Sequence, residues 1–213
     1  MEFEKANELT FVNRLLSSGV TKSYSRGDAI YLEAEMPKGL YYVQSGLVGL
    51  IKTSASGNES LLRVFRTRQF FGHRALFSDE QYHATAKCLE NSELVFVDKK
   101  LVFETFDKNP SAYFFLARAL AKELRRAEDR SVLISEGHIM ERVVYALLLF
   151  KKLHPEHLWT RTEIANYCAS RTPTVIKALG ELEKKGAIEQ NRRYIEIIDE
   201  SILMDIVEEL HGR

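Results

Sequence analysis

Arg171, Thr172, Thr174 and Lys177 lie within seven residues of one another. Two cations and two hydroxyls at that density suit hydrogen bonding to base edges in a DNA major groove, where donors and acceptors must project from the N-terminal turn of a helix. Pro173 sits among them and fits the first turn of such a helix, because its missing N–H has no partner to lose there; Thr172 reads as the N-cap before it. Arg161 upstream and Arg192 and Arg193 downstream are cations of the kind that meet phosphates. From Thr160 to Tyr194 seven positive charges stand against four negative, a local excess of three in a chain whose 30 Lys and Arg balance 30 Asp and Glu. Any footprint for a polyanion is therefore local to this stretch.

His73, Arg74, Tyr82 and His83 stand at the two ends of a short segment, residues 73–83, as a second group of side chains able to hydrogen-bond. Clustered histidines fill and hydrogen-bond a domain interior more often than they hold a ligand. Packing residues, or a site for a haem, a metal or a small acid, both remain open on sequence. His154-Pro155-Glu156-His157 pairs two imidazoles, but the proline breaks the helical spacing that would bring them to one metal, and no metal set or cofactor is assigned. Cys88 and Cys168 are the only cysteines; they fit no ligand spacing and no intrachain iron–sulfur cluster, and read as packing residues. There is no nucleophile elbow, P-loop, HExxH or glycine-rich dinucleotide turn, so an enzyme finds no support.

These groups need elements to position them. From about Val20 to Val97 short β-rich runs (AIYLE, LYYVQ, LVGLIKT, SLLRVF, HATAKC, ELVFVD) alternate with turn signals such as Ser45-Gly46 and Ser54-Ala55-Ser56-Gly57-Asn58, the pattern of an all-β roll or barrel. Asn109-Pro110 then predicts the N-cap and first position of a long helix running to about Glu136 and stopping at Gly137. Along it Tyr113, Ala117, Leu120, Leu124, Ala127, Ser131 and Ile134 alternate spacings of four and three, a seam at coiled-coil period that predicts a dimer. A helix from about His138 to Leu153 follows, with Val143, Val144, Leu147 and Leu148 as its apolar face. Thr162 to Tyr167 reads as a short helix, Cys168-Ala169-Ser170 as a tight turn, and Pro173 to Lys185 as a second helix ending at Gly186. Residues 187–190 and 194–197 read as a hairpin, and Glu200 to about Leu210 as a final helix. Helix, turn, helix, hairpin is the order of a winged helix-turn-helix. The resulting expectation is an α+β chain with a sensor-type β-roll at 1–108, a dimerisation helix at 109–136 and a DNA-binding domain at 137–213. An acidic start with no apolar core, and no stretch near the roughly 20 apolar residues that span a bilayer, predict a cytoplasmic protein.

The order of several segments resembles the cyclic-AMP receptor protein and FNR (Crp/Fnr) superfamily of bacterial transcription regulators. Ser25-Arg26-Gly27-Asp28-Ala29-Ile30 is similar to that family's first β-roll turn, Leu40 to Val48 to its strand pair, and Phe70-Phe71-Gly72 to the start of its phosphate-binding cassette. Glu141-Arg142-Val143-Val144 resembles its hinge-helix motif, and Thr160 to Ala165 with Thr174-Val175 its DNA-binding motif. The resemblance covers about Tyr24 to Ile198 and implies a cyclic-nucleotide-binding-type roll, a homodimer, a palindromic duplex operator and RNA polymerase as a partner. It also implies that Thr160 and Arg161 contact phosphate. Two departures stand out. Thr172-Pro173 falls where relatives commonly carry a base-reading Arg-Glu pair. In the cassette, His73 replaces the glutamate that accepts a ribose hydroxyl, and Tyr82 and His83 replace the arginine and hydroxyl that hold a cyclic phosphate. Ala127 and Glu128 stand where a Thr-Ser pair would meet the base. The effector pocket then comprises His73, Arg74, Tyr82, His83 and Glu128, with no cyclic AMP expected and the effector unknown. The competing reading is a ligand-binding or protein-interaction module without sequence-specific DNA binding.

Overall fold

A computed structural model describes residues 2–191 and 194–211. The chain divides into two compact units, and the division falls inside the long helix, between Arg126 and Ala127, with residues 59–61 grouped with the second unit.

The first unit is built on two four-stranded sheets. One has the order β1-β8-β3-β6, from Val20–Tyr24, Ser92–Asp98, Gly39–Ser45 and Phe70–Phe71; the other has the order β2-β7-β4-β5, from Ala29–Tyr31, Thr85–Cys88, Leu47–Thr53 and Glu59–Arg66. The run LYYV shows why the first sheet forms. Tyr41 and Val43 point between the sheets with Val48, Leu50, Phe65, Phe71 and Leu94, while Leu40 and Tyr42 point outward with Val95 and Val97. A sheet covered on both faces needs apolar residues at both parities, which is why LYYV reads as a continuous run. Its outer cover comprises α1 (Glu2–Ser17, through Phe11 and Leu15), α2 (His73–Ser78, through Leu76) and α3 (Lys99–Asp107, through Val102 and Phe106). Gly46 turns β3 into β4 at φ 88, where a Cβ would overlap the Ser92 hydroxyl; only glycine serves both needs.

The long helix α4 spans Ser111–Glu136. The Asn109 side-chain amide donates to the Thr105 carbonyl, 2.7 Å away, and its own carbonyl accepts from the Ala112 N–H at 2.8 Å, so it joins the end of α3 to the start of α4. The three helices of the roll unit are absent from the sequence reading. They are short or lie at the chain's start, and their apolar residues fall among strand-like runs.

In the second unit, α5 (Ile139–Leu153), α6 (Arg161–Tyr167), α7 (Thr172–Lys184) and α8 (Glu200–His211) surround a core that includes Val143, Val144, Leu147, Phe150, Ile164, Val175, Leu179, Leu182 and Leu203. A two-stranded antiparallel hairpin, β9 (Ile188–Gln190) and β10 (Ile195–Ile197), follows α7. Both cysteines are buried and free, as packing residues should be, and burial pushes the Cys168 thiol up to about 12. No described helix is long and apolar enough to cross a membrane.

Candidate nucleic-acid interface and ligand hollow

Helix α6 begins with a capping box. The Thr160 hydroxyl accepts from the Glu163 N–H at 3.2 Å, and the Glu163 carboxylate accepts from the Thr160 N–H at 2.8 Å, so two backbone donors that the helix cannot satisfy are met. Burial of Glu163 raises its pKa, but hydrogen bonds from His157 and Thr160 outweigh that and hold the carboxyl below its ordinary range. Thr160 therefore does structural work that any phosphate contact through its hydroxyl would disturb. Arg161 donates to the Gln190 side-chain oxygen at 2.9 Å, and Gln190 in turn donates to Glu183 from its backbone at 2.8 Å and its side chain at 3.1 Å. This chain of bonds ties α6, α7 and β9 together and fixes the guanidinium beside the hairpin. Arg142 steadies the same module, donating to the Cys168 carbonyl at the helix-turn-helix corner at 3.3 Å.

Helix α7 starts one residue earlier than the sequence suggests. Arg171 occupies the N-cap without a side-chain capping bond, Thr172 is the first helical residue and Pro173 the second. Thr172 as N-cap is thus corrected; its hydroxyl is left for other partners, and proline is tolerated because the first turn's N–H groups have no intrahelical acceptors. Val175, Ala178, Leu179 and Leu182 are buried. Arg171, Thr174 and Lys177 are exposed and Thr172 is half-buried, so the predicted donors and acceptors share one end of one helix. Arg192 and Arg193, predicted for the wing, lie outside the described residues.

In the first unit, the structure brings His73, Arg74, Tyr82 and His83 around one small hollow. Glu128 belongs to the second unit and is not among the lining residues. Two participants escape the sequence reading. Arg63 lines the hollow, and Glu123 of α4 pairs with both Arg63 and His73, the latter at 3.0 Å. Arg63 was legible in principle: it shares the inward parity of β5 with buried Phe65, an odd place for a charge. Glu123 was not, since it comes from a helix 60 residues later. Tyr82 stacks on Tyr31 with ring centroids 3.5 Å apart, and its buried hydroxyl has no hydrogen-bond partner among the described residues. The His83 pKa is lowered, first by burial and then by Arg74, Lys52 and Arg63.

Burial raises the Glu123 pKa, but hydrogen bonds and charges from His73 and Arg63 dominate and hold the carboxyl at about 2, below its ordinary 4.5. A depressed carboxylate pKa stabilises the fold fully above the ordinary value, and that contribution is lost as pH falls toward the folded value. Glu123→Gln should therefore be less stable at pH 7, and should converge with the wild type as pH falls from 4.5 toward 2. Urea unfolding series at pH 7 and pH 2.5 measure both; a constant gap between the two proteins would mean that the carboxylate's charge is not what stabilises the roll.

Of the predicted seam on α4, Tyr113, Ala117, Leu124 and Ala127 are exposed and Leu120 and Ile134 half-buried. Ala112 is the helix's buried residue. Tyr113 is partly engaged within its own unit, donating to Asp107 at 3.1 Å and packing edge-on to Phe106. Phe114, which sequence reasoning passed over, is 77% exposed.

Residues 21–109 match the family model described as a cyclic nucleotide-binding domain, and residues 141–206 match the Crp-like helix-turn-helix domain. The chain is 27% identical over 197 residues to the cyclic AMP receptor protein of Thermus thermophilus, covering 92% of this chain and 91% of the relative. It is 26% identical over 159 residues to the anaerobic regulatory protein of Bacillus subtilis, covering 70% and 67%. Among solved structures, a CRP/FNR-family transcriptional regulator, also from Thermus thermophilus, aligns with a TM-score of 0.76 at 27% identity, over 89% of this chain and 98% of that one.

Proposed function

Since the chain belongs to the Crp/Fnr family and is a transcription regulator of that type with a helix-turn-helix DNA-binding domain, we propose that it acts as a homodimer on a roughly palindromic operator, α7 entering the major groove of each half-site. The observation that carries this reading is the clustering of exposed Arg171, Thr174 and Lys177 at the N-terminal end of a helix whose opposite face is buried. Side chains so placed reach base edges, and Arg161 beside the hairpin supplies a phosphate contact. The exposed apolar residues of α4 supply the dimer seam. Selection of duplexes from a randomised library by the full chain should return an inverted repeat with half-site centres about 34 Å apart, one helical turn. Recovery of unrelated sequences at equal affinity would overturn the reading and favour a module that does not read DNA.

The roll is proposed to be a degenerate cyclic-nucleotide pocket. A cyclic phosphate needs an uncompensated cation and a hydroxyl, and a ribose hydroxyl needs an acceptor. Here the Glu123 carboxylate already takes Arg63 and His73, so an incoming phosphate would meet a carboxylate as well as the guanidinium. Cyclic AMP should not bind at micromolar concentration, which isothermal calorimetry measures; a micromolar dissociation constant would show that the remodelled residues still recognise it.

A further inference from the structure

We propose that Ile176 reads the 5-methyl group of a thymine in each operator half-site; this rests on the DNA-binding reading above and adds a base identity to it. On α7, buried Val175, Ala178, Leu179 and Leu182 define the core side. At 100° per residue, the opposite side carries Pro173, Lys177, Gly180 and Lys184, with Ile176 on its edge. Ile176 is 46% exposed. A β-branched residue favours neither a helix interior nor solvent, and its neighbours one turn before and after it are exposed Pro173 and half-buried Gly180. A Cβ built on Gly180, one turn further along, would meet nothing within 4 Å, so no side chain stands between that stretch of helix and a groove wall. Pro173, one turn earlier, is exposed and also apolar. The face thus divides lengthwise: Thr174 and Lys177 on one side offer a hydroxyl and an ammonium, and Pro173, Ile176 and Gly180 on the other offer carbon or open space, bounded toward the core by half-buried Thr172 and by Glu183, whose carboxylate accepts from Gln190. In a major groove, the polar side has many matches among base edges. The apolar side has one, because the thymine methyl is the apolar group that base pairs display there. Ile176 is the longest apolar side chain of the three, and it sits within the N-terminal two turns that enter the groove most deeply.

The assignment is tested by measuring affinity for the operator that the wild-type chain selects, with each thymine of both half-sites replaced in turn by deoxyuridine, which lacks only the methyl. Loss of one buried methyl-sized group corresponds to about a fourfold change in affinity, or about fifteenfold over two half-sites. We expect one thymine position to show it. Ile176→Ala should bind the thymine operator weaker by a similar factor and no longer distinguish thymine from deoxyuridine there, whereas Ile176→Val, which keeps a branched apolar end, should still distinguish them. Because Ile176 is outside the core, each variant should keep the wild-type circular dichroism. If Ile176→Ala discriminates as well as the wild type, or the wild type ignores the methyl at all positions, the assignment is wrong while the regulator reading stands. A library that yields no preferred sequence overturns both.

Discussion

Leu120→Glu combined with Leu124→Glu is expected to leave a folded monomer that has lost operator binding. Both positions lie on α4, a 26-residue helix in which Ala112 is buried and Phe114, Leu124 and Val132 stand 77%, 61% and 57% exposed in the single chain. An amphipathic helix of this length gains most of its stability from packing an apolar face, and a face at heptad spacing is covered most simply by its own copy around a two-fold axis. Two glutamates per protomer would place four carboxylates at that axis with no cation designed to meet them, and unpaired buried charge costs several kcal/mol per ion. Leu124 is exposed and Leu120 half-buried in the protomer, so the substitutions should leave the protomer's fold in place, as circular dichroism would show. A monomer reaches one half-site at a time. The second half-site then has no intramolecular advantage, so operator affinity should fall by about 100-fold to 10,000-fold. Sedimentation equilibrium and operator titration measure the two effects separately. A dimer of unchanged strength would move the interface elsewhere on the molecule; monomers that still bind the operator tightly would show that dimerisation is not what joins the half-sites.

What was legible in the sequence follows from how local its causes are. The helix-turn-helix could be read because each of its boundaries is set by a few neighbouring residues: Thr160 and Glu163 close a capping box three apart, Pro173 suits a first turn, and Gly186 ends α7 at φ +78. The β-roll could be read from its turn residues and strand-like runs. Its helical cover could not, because the apolar residues of α3, such as Val102 and Phe106, resemble the strand before them, and only the face they cover distinguishes the two. The one-residue error at α7 has a similar origin. Thr172 is the better N-cap by propensity, yet the Arg171 carbonyl accepts from both Thr174 and Val175, and the tight turn after α6 decides where the helix begins. In the hollow, His73, Arg74, Tyr82 and His83 come from one contiguous cassette and were found together; Arg63 and Glu123 complete it from distant parts of the sequence, and no local pattern connects them.

Arg171→Ala and Lys177→Ala should change which sequences the protein prefers, whereas Arg161→Ala should change how strongly it holds all of them. Arg171 and Lys177 are exposed on the end of α7 proposed to enter the groove, and a good side-chain contact to a base edge contributes about 1–3 kcal/mol of discrimination, or roughly 5-fold to 150-fold. Removing either should relax the preference at a single position of each half-site. Arg161 differs because it lies on α6 and its guanidinium is held by Gln190 beside the hairpin. Its proposed partner is a phosphate, which every sequence supplies. Removing it should weaken selected and unselected duplexes alike and reduce the slope of log affinity against log salt by about 0.9 for each phosphate no longer neutralised. Gln190→Ala should mimic part of this, since it frees the guanidinium without removing its charge: affinity should fall modestly with the slope kept. Titrations of each variant against the selected operator and its single-base variants, at three salt concentrations, separate the two roles. Arg171→Ala that keeps full sequence preference and changes only the salt slope would make Arg171 a phosphate clamp, and base reading would then rest on Thr172, Thr174 and Lys177.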